Sequence, residues 1–180
     1  MGRKIVVVPY DPSWYERYRR EAMKITEIMG EQAVSIHHIG STSIPNMKAK
    51  PIIDILVEVK NLETMDELND NMMKEGYLPK GEHGIPGRRY FVKSVGATRT
   101  HHVHMFQTGN PEIERHLVFR DYLITHPEEA QAYGRLKEAL AQRFPEDGLS
   151  YTTEKDEFIK RIEHKAKAWR ATRIKEDAQS

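Results

Sequence analysis

Two stretches of this chain combine residue types and spacing that could do chemistry. The first is the turn Gly40-Ser41-Thr42-Ser43, followed at Asp54 by a carboxylate inside the apolar run IIDILVEV (residues 52–59). Gly40 permits backbone conformations that other residues resist. The three hydroxyl residues after it, with the exposed amides of such a turn, could form an anion-binding concavity that suits a phosphate. The alternative is a turn that only connects two elements. It is not a Walker loop, because Gly-x4-Gly-Lys-Ser/Thr is absent. Lys48 and Lys50 follow closely and either add charge or remain solvated loop lysines. A carboxylate among so many aliphatic residues must be paired, hydrogen-bonded or metal-bound. Alternation along a strand puts Ile52, Asp54, Leu56 and Glu58 on one face and Ile53, Ile55, Val57 and Val59 on the other.

The second stretch is Thr100 to Phe106 (THHVHMF). The same alternation places Thr100, His102, His104 and Phe106 together, so two imidazoles are spaced for one site. If this strand lies beside Asp54, then Asp54, His102 and His104 form a candidate set for a divalent metal (Mg, Mn or Zn) or for acid–base work. The competing reading is a pair of hydrogen-bonded sheet histidines, or phosphate donors when protonated. Arg88, Arg89 and Arg99 cluster about the same region, and Arg89 and Arg99 are the candidates to clamp an anionic substrate. Charge management of a solvated edge strand is the alternative. His37 and His38 precede the turn on opposite faces, so at most one can point at the site.

The elements that must position these groups follow from periodicity. Lys4 to Val8 reads as a strand or extended arm, ended by Pro9. Asp11 and Pro12 open a helix to Met29 whose apolar stripe is Trp14, Tyr15, Tyr18, Ala22, Ile25 and Met29. Strands are expected over Ala33–Ile39 and Pro51–Val59, the latter central and covered on both faces. A helix over Asn61–Glu75 turns Leu62, Met65, Leu68, Met72 and Met73 inward. Tyr77–Gly87, rich in Gly and Pro, reads as loop, either a mobile lid or a loose connection. Arg89–Val95 and Thr100–Gln107 make a hairpin, and the remainder is helical: about 110–125, 127–143, and from Thr152 or Thr153 to Lys175, with a frayed tail. The fold class expected is therefore α/β (α+β): a mixed sheet with flanking helices and a helical C-terminal portion. It reads as a single domain over 1–180, with the sheet core in about 1–109 and the C-terminal helices in about 110–175.

Composition narrows the function classes. The chain has 180 residues and a formal net charge of +1, from 28 basic and 27 acidic residues, so nothing pulls it globally toward nucleic acid or membrane. It has no cysteine, which removes disulfides, thiol nucleophiles and thiolate metal sites. The apolar run near the N-terminus is too short for a signal peptide, and a cytoplasmic location is the expectation. The basic stretch His164–Lys175 reads as a solvated helix face, and Lys155 as an exposed first-turn lysine.

A Gly-Ser turn, roughly a dozen residues, and then an acid inside an apolar strand resembles the signature of the nucleotidyltransferase-like superfamily. The longer blocks VVPYDPSW, HHIGSTSIPNMKAKPIIDILVEV, RTHHVHMF, FRDYLITHPEEAQAYGRLKEAL and YTTEKDEFI resemble the GrpB (glutamate-rich-protein-like) family over nearly the whole chain. The resemblance implies a nucleotidyltransferase-type fold and a protein that handles a nucleotide or other phosphorylated small molecule. Gly40 and Ser41 would sit in the phosphate turn, and Asp54 would be the first metal carboxylate. Active members of the superfamily usually carry a second acid two residues on, where this chain has Leu56. Residues two apart on a strand lie ~7 Å apart and can converge on one ion, whereas Glu58 lies ~13 Å along from Asp54. The two-metal clamp is incomplete. A non-catalytic ligand-binding domain and a partner-docking accessory domain are the rival readings.

Overall fold

The structure, a computed structural model, describes residues 3–180. The first helix, α1 (Ser13–Met29), starts where Asp11 Oδ1 accepts the Ser13 amide at 2.9 Å and stops at Gly30. It buries Trp14, Ala22, Ile25 and Met29. Tyr15, expected in the stripe, is 55% exposed, because it lies at the stripe's outer margin.

Five strands follow: β1 (Ala33–Ile39), β2 (Ile53–Val59), β3 (Tyr77–Pro79), β4 (Arg88–Val95) and β5 (Thr98–Gln107). They form one mixed sheet in the order β1-β2-β5-β4-β3. The β2/β5 pair is parallel and the other pairs are antiparallel. This is the α/β architecture that the sequence pattern predicts, with β2 inside the sheet. The alternation in β2 is realised in space. Ile53, Ile55, Val57 and Val59 pack under α1 with Trp14, Ile25, Phe91, Val103 and Met105. On the opposite face Leu56 packs with Ile39, Phe106 and Ile113.

Several boundaries differ from the sequence expectations. Residues 61–75 do not form one helix. A 3-10 turn (Glu63–Leu68) leads into the short helix α2 (Asn69–Lys74), with Leu62 tied by its amide to Gln107 Oε1 at 3.0 Å. Met65 and Met72 point inward as expected, but Met73 is exposed. The stretch after Gly76 is not all loop. Tyr77 is buried and its hydroxyl donates to Glu21 at 3.2 Å, which fixes β3 as an edge strand that ends at Pro79. The rest of that segment is pinned, because Glu82 accepts the Gly87 amide at 2.6 Å. Residues 4–8 form an extended arm whose one bridge is Val8 to Ala49.

The C-terminal layer is α3 (Pro111–Thr125), α4 (Pro127–Arg143) and α5 (Gly148–Gln179). α5 starts earlier than Thr152, because Asp147 Oδ1 accepts the Ser150 amide at 3.0 Å and caps it there. It continues through the tail that was expected to fray. Ile44 and Met47, just after the hydroxyl turn, pack into the core of this layer with Tyr122, Leu123, Tyr133 and Ile162. No helix among the described residues is long and apolar enough to cross a membrane.

Candidate functional site

The parallel register sets Asp54 opposite His102 and Leu56 opposite His104, which brings the carboxylate and both predicted histidines together. His104 Nε2 lies 3.1 Å from Asp54 Oδ1, and His102 Nδ1 lies 3.5 Å from the same oxygen. The direction of the first bond is set from behind. Arg88 donates from its guanidinium to His104 Nδ1 at 3.2 Å. A nitrogen that accepts cannot carry the ring proton, so Nε2 carries it and donates to Asp54. Burial pushes the Asp54 carboxyl up, but the bonds and charges of His102 and His104 outweigh it. The group is held well below the usual carboxylate range and is anionic.

Gly40 explains how turn and carboxylate meet. Its φ is +73°, and a Cβ there would stand 2.7 Å from Asp54 Oδ2. Glycine is needed for the backbone angle and for the close approach alike. The hydroxyls beyond it divide. Thr42 is buried and its Oγ1 lies 2.9 Å from His38 Nε2. Ser43 donates to the Gly40 carbonyl at 2.5 Å. Both hydroxyls therefore brace the turn rather than face outward. The Ser43 and Ile44 amides close onto the Gly40 and Ser41 carbonyls, whereas the Ser41 and Thr42 amides take no part in these turn bonds.

A cavity of about 730 Å³ opens beside this cluster, lined by Lys50, Arg99 and His102 together with the N-terminal arm, Glu146 and Gly148. Buried Arg99 Nε and His102 Nε2 have no partner there. Lys50 and Arg99 are thus placed as the sequence reading required. Arg89 is not. It faces the other side of β4 and pairs with Asp66 at 2.7 Å. Arg88, one residue earlier, has the inward parity and is buried. Besides His104 it donates to the Glu82 and His83 carbonyls, at 3.1 and 2.9 Å, and lies over the Tyr90 ring at 4.5 Å. The signal that could have separated the two arginines is parity with Tyr90, which shares Arg88's face and touches both site histidines.

Neighbouring imidazoles frame the cluster. His116 of α3 tilts against His104 at 5.8 Å between centroids, and burial depresses its pKa to about 4. His38 stacks on Tyr18 at 4.8 Å and is likewise held near 4, mainly by burial. His37 instead lies by Ser35, whose Oγ is 3.1 Å from its Nε2. Neither of the two touches Asp54. Lys155 is half-buried, not exposed.

The donors around Asp54 are largely committed within the chain. Both ring nitrogens of His104 are committed, one to Asp54 and one to Arg88. Leu56 is fully buried in apolar contacts, and Glu58 accepts from Ser35 at 2.9 Å. Among the described residues no three His, Cys, Asp or Glu side chains are grouped to hold an ion. As arranged, the protein alone does not supply a three-ligand metal cage.

Fold and site define a class: a mixed α/β protein whose central parallel strands carry an anionic carboxylate–histidine cluster under a Gly-Ser turn. Residues 4–165 match the sequence profile of the GrpB protein family, and the chain belongs to that family. It is 50% identical over 171 residues to the UPF0157 protein YqkA of Bacillus subtilis, covering 95% of this chain and 50% of that protein. The chain thus spans about half the length of that relative. It is 35% identical to the glutamate-rich protein GrpB of Alkalihalophilus pseudofirmus, covering 88% of this chain and 94% of that protein. The crystal structure of conserved protein GrpB from Enterococcus faecalis superposes with a TM-score of 0.87 at 46% identity, over 91% of this chain and 99% of that one.

Proposed function

We propose that the chain binds a nucleotide or another phosphorylated small molecule between the Gly40 turn and the cleft, and acts on it by nucleotidyl transfer. One observation carries this reading. An anionic carboxylate lies against the Gly-Ser turn and beside a cavity whose lining cations, Lys50 and Arg99, enter no ion pair among the described residues. A phosphate fits the amides of Ser41 and Thr42 and the charges of Lys50 and Arg99. His102, with Nδ1 turned to Asp54 and Nε2 free, is the group to hold or pass a proton. His104 is the positioning residue, because its nitrogens are committed. Mg²⁺ is commonly held through one or two carboxylates plus substrate phosphates. Asp54 is the carboxylate for such an ion, which would arrive with the phosphate.

A second reading, a non-catalytic binder, is favoured by Leu56, which fills the second acid's place with core. A thermal-shift screen of nucleotides with and without Mg²⁺, Mn²⁺ and Zn²⁺ separates the two. A nucleotide shift that requires metal and disappears in Asp54→Ala supports transfer chemistry. A metal-independent shift supports the binder, and no shift in any condition sinks both.

A further inference from the structure

We infer that Lys50, Lys137 and Lys155 form one pocket for an oligophosphate, a ligand with two or more linked phosphoryl groups. This rests on the phosphate reading above and names the charge and length of what the site takes.

The three lysines come from separate elements: the loop before β2, helix α4 and the first turns of α5. They converge on two tyrosines. Lys50 Nζ lies 4.5 Å and Lys155 Nζ 5.2 Å from the centre of the Tyr151 ring, and Lys137 Nζ lies 4.4 Å from that of Tyr133. Their charges reach one another: those of Lys155 and Lys50 bear on Lys137, and that of Lys155 bears on Lys50. The pocket adjoins the site, because the charge of Asp54 acts on Lys50 and Lys155 while Tyr133 sits beside Ser41.

None of the three forms an ion pair among the described residues, although their neighbours do. Lys48 pairs with Glu138 at 2.8 Å and Lys165 with Glu129 at 2.7 Å. Lys137 is 3% exposed and its Nζ has no hydrogen-bond partner. Burial, then Lys155 and Lys50, bring its pKa down to about 7. An ammonium taken from water needs an anion or must give up its proton. Of the carboxylates that act on this cluster, Asp54 is engaged with two histidines, and Asp156 bears on Lys155 without pairing with it. Aromatic faces steady the ammonium groups without neutralising them, and a bound anion would hold the proton on Lys137. Three clustered cations, with Lys50 and Arg99 at the cleft, exceed what one phosphoryl group can balance. Linked phosphoryl groups match them in charge and reach.

The test is calorimetric binding of inorganic phosphate, pyrophosphate, tripolyphosphate and nucleoside triphosphate to the full chain and to Lys137→Met and Lys155→Met. Tripolyphosphate is expected to bind at least roughly tenfold tighter than phosphate, and each substitution to weaken it by roughly tenfold or more. The melting temperature should stay level or rise, because an unpaired buried charge does not hold the fold together. Tripolyphosphate binding no tighter than phosphate, or unchanged in both variants, overturns the pocket. If Lys137→Met does not fold, Lys155→Met decides alone, because that side chain is only half-buried. Nucleoside triphosphate binding that survives both substitutions removes the pocket and leaves the nucleotide reading standing. Tripolyphosphate binding that both substitutions weaken, with nucleotides binding no tighter than tripolyphosphate, keeps the pocket and removes the nucleotide reading.

Discussion

The two faces of the sheet each bury charge, and they handle it in opposite ways. Under α1, Glu21 is 4% exposed and is met by Lys93, by the Tyr77 hydroxyl at 3.2 Å and by Lys24 at 3.3 Å. Burial pushes that carboxyl up, and Lys93 more than offsets it. Glu21 thus has its counter-charges within the chain. On the C-terminal side, Lys50, Lys137, Lys155 and Arg99 form no ion pair among the described residues, and Asp54 Oδ1 is taken by two histidines. Buried charge that is balanced internally holds elements together. Buried charge left unbalanced waits for something from outside.

The largest effect that tests this contrast is Glu21→Ala. Breaking a buried pair typically costs about 3–5 kcal/mol. Urea unfolding should show that loss, while affinity for tripolyphosphate stays within twofold of wild type; a matching loss of affinity would erase the distinction between the faces. Next comes acid. His38 and His116 are held near pH 4 in the fold, below their ordinary 6.5. The unfolded chain therefore takes up protons first as pH falls. Their contribution is complete above about 6.5 and is lost between there and about 4, on the order of 3 kcal/mol each. Glu21 is lowered from 4.5, so its cluster weakens only at more acid pH. Hydrogen exchange across that range should open the turn and α3 before α1. Lys137→Met has the opposite sign: at pH 7 it should raise stability by about 1–4 kcal/mol in urea titration. Gly40→Ala should cost about 1–3 kcal/mol for a backbone angle that only glycine ordinarily adopts, and it should abolish nucleotide-dependent thermal shift by displacing Asp54.

Much of the frame was legible because strand alternation is a strong signal. His102 and His104 share a face by parity alone, the β2/β5 register joins them to Asp54, and the missing acid at Leu56 could be read directly. Parity without register was insufficient for the arginines, since Arg88 and Arg89 are adjacent and only the pairing with β5 says which looks inward. β3 was hidden because Gly and Pro dominate its surroundings, and what makes it a strand is a tertiary partner, Glu21. Lys137 gave no warning at all. On paper it is one charged residue in an ordinary amphipathic helix, and its burial depends on Tyr133, Lys50 and α5 closing over it. The sites of Thr42 and Ser43 were found, but their hydroxyls are spent on His38 and Gly40, a detail of turn geometry that residue type does not carry.

Strand β5 serves both faces at once. His101, in the field of Glu21, looks toward α1, while His102 and His104 look toward Asp54. A slip of one residue along β2 would exchange the two sets. Imidazoles would then enter the aliphatic layer, and Val103 or Met105 would be offered to the carboxylate. Each charge cluster thus penalises the same misfolding error from its own side. The strand is proofread twice, so the residues of the proposed site also help the chain to reject its wrong alignments.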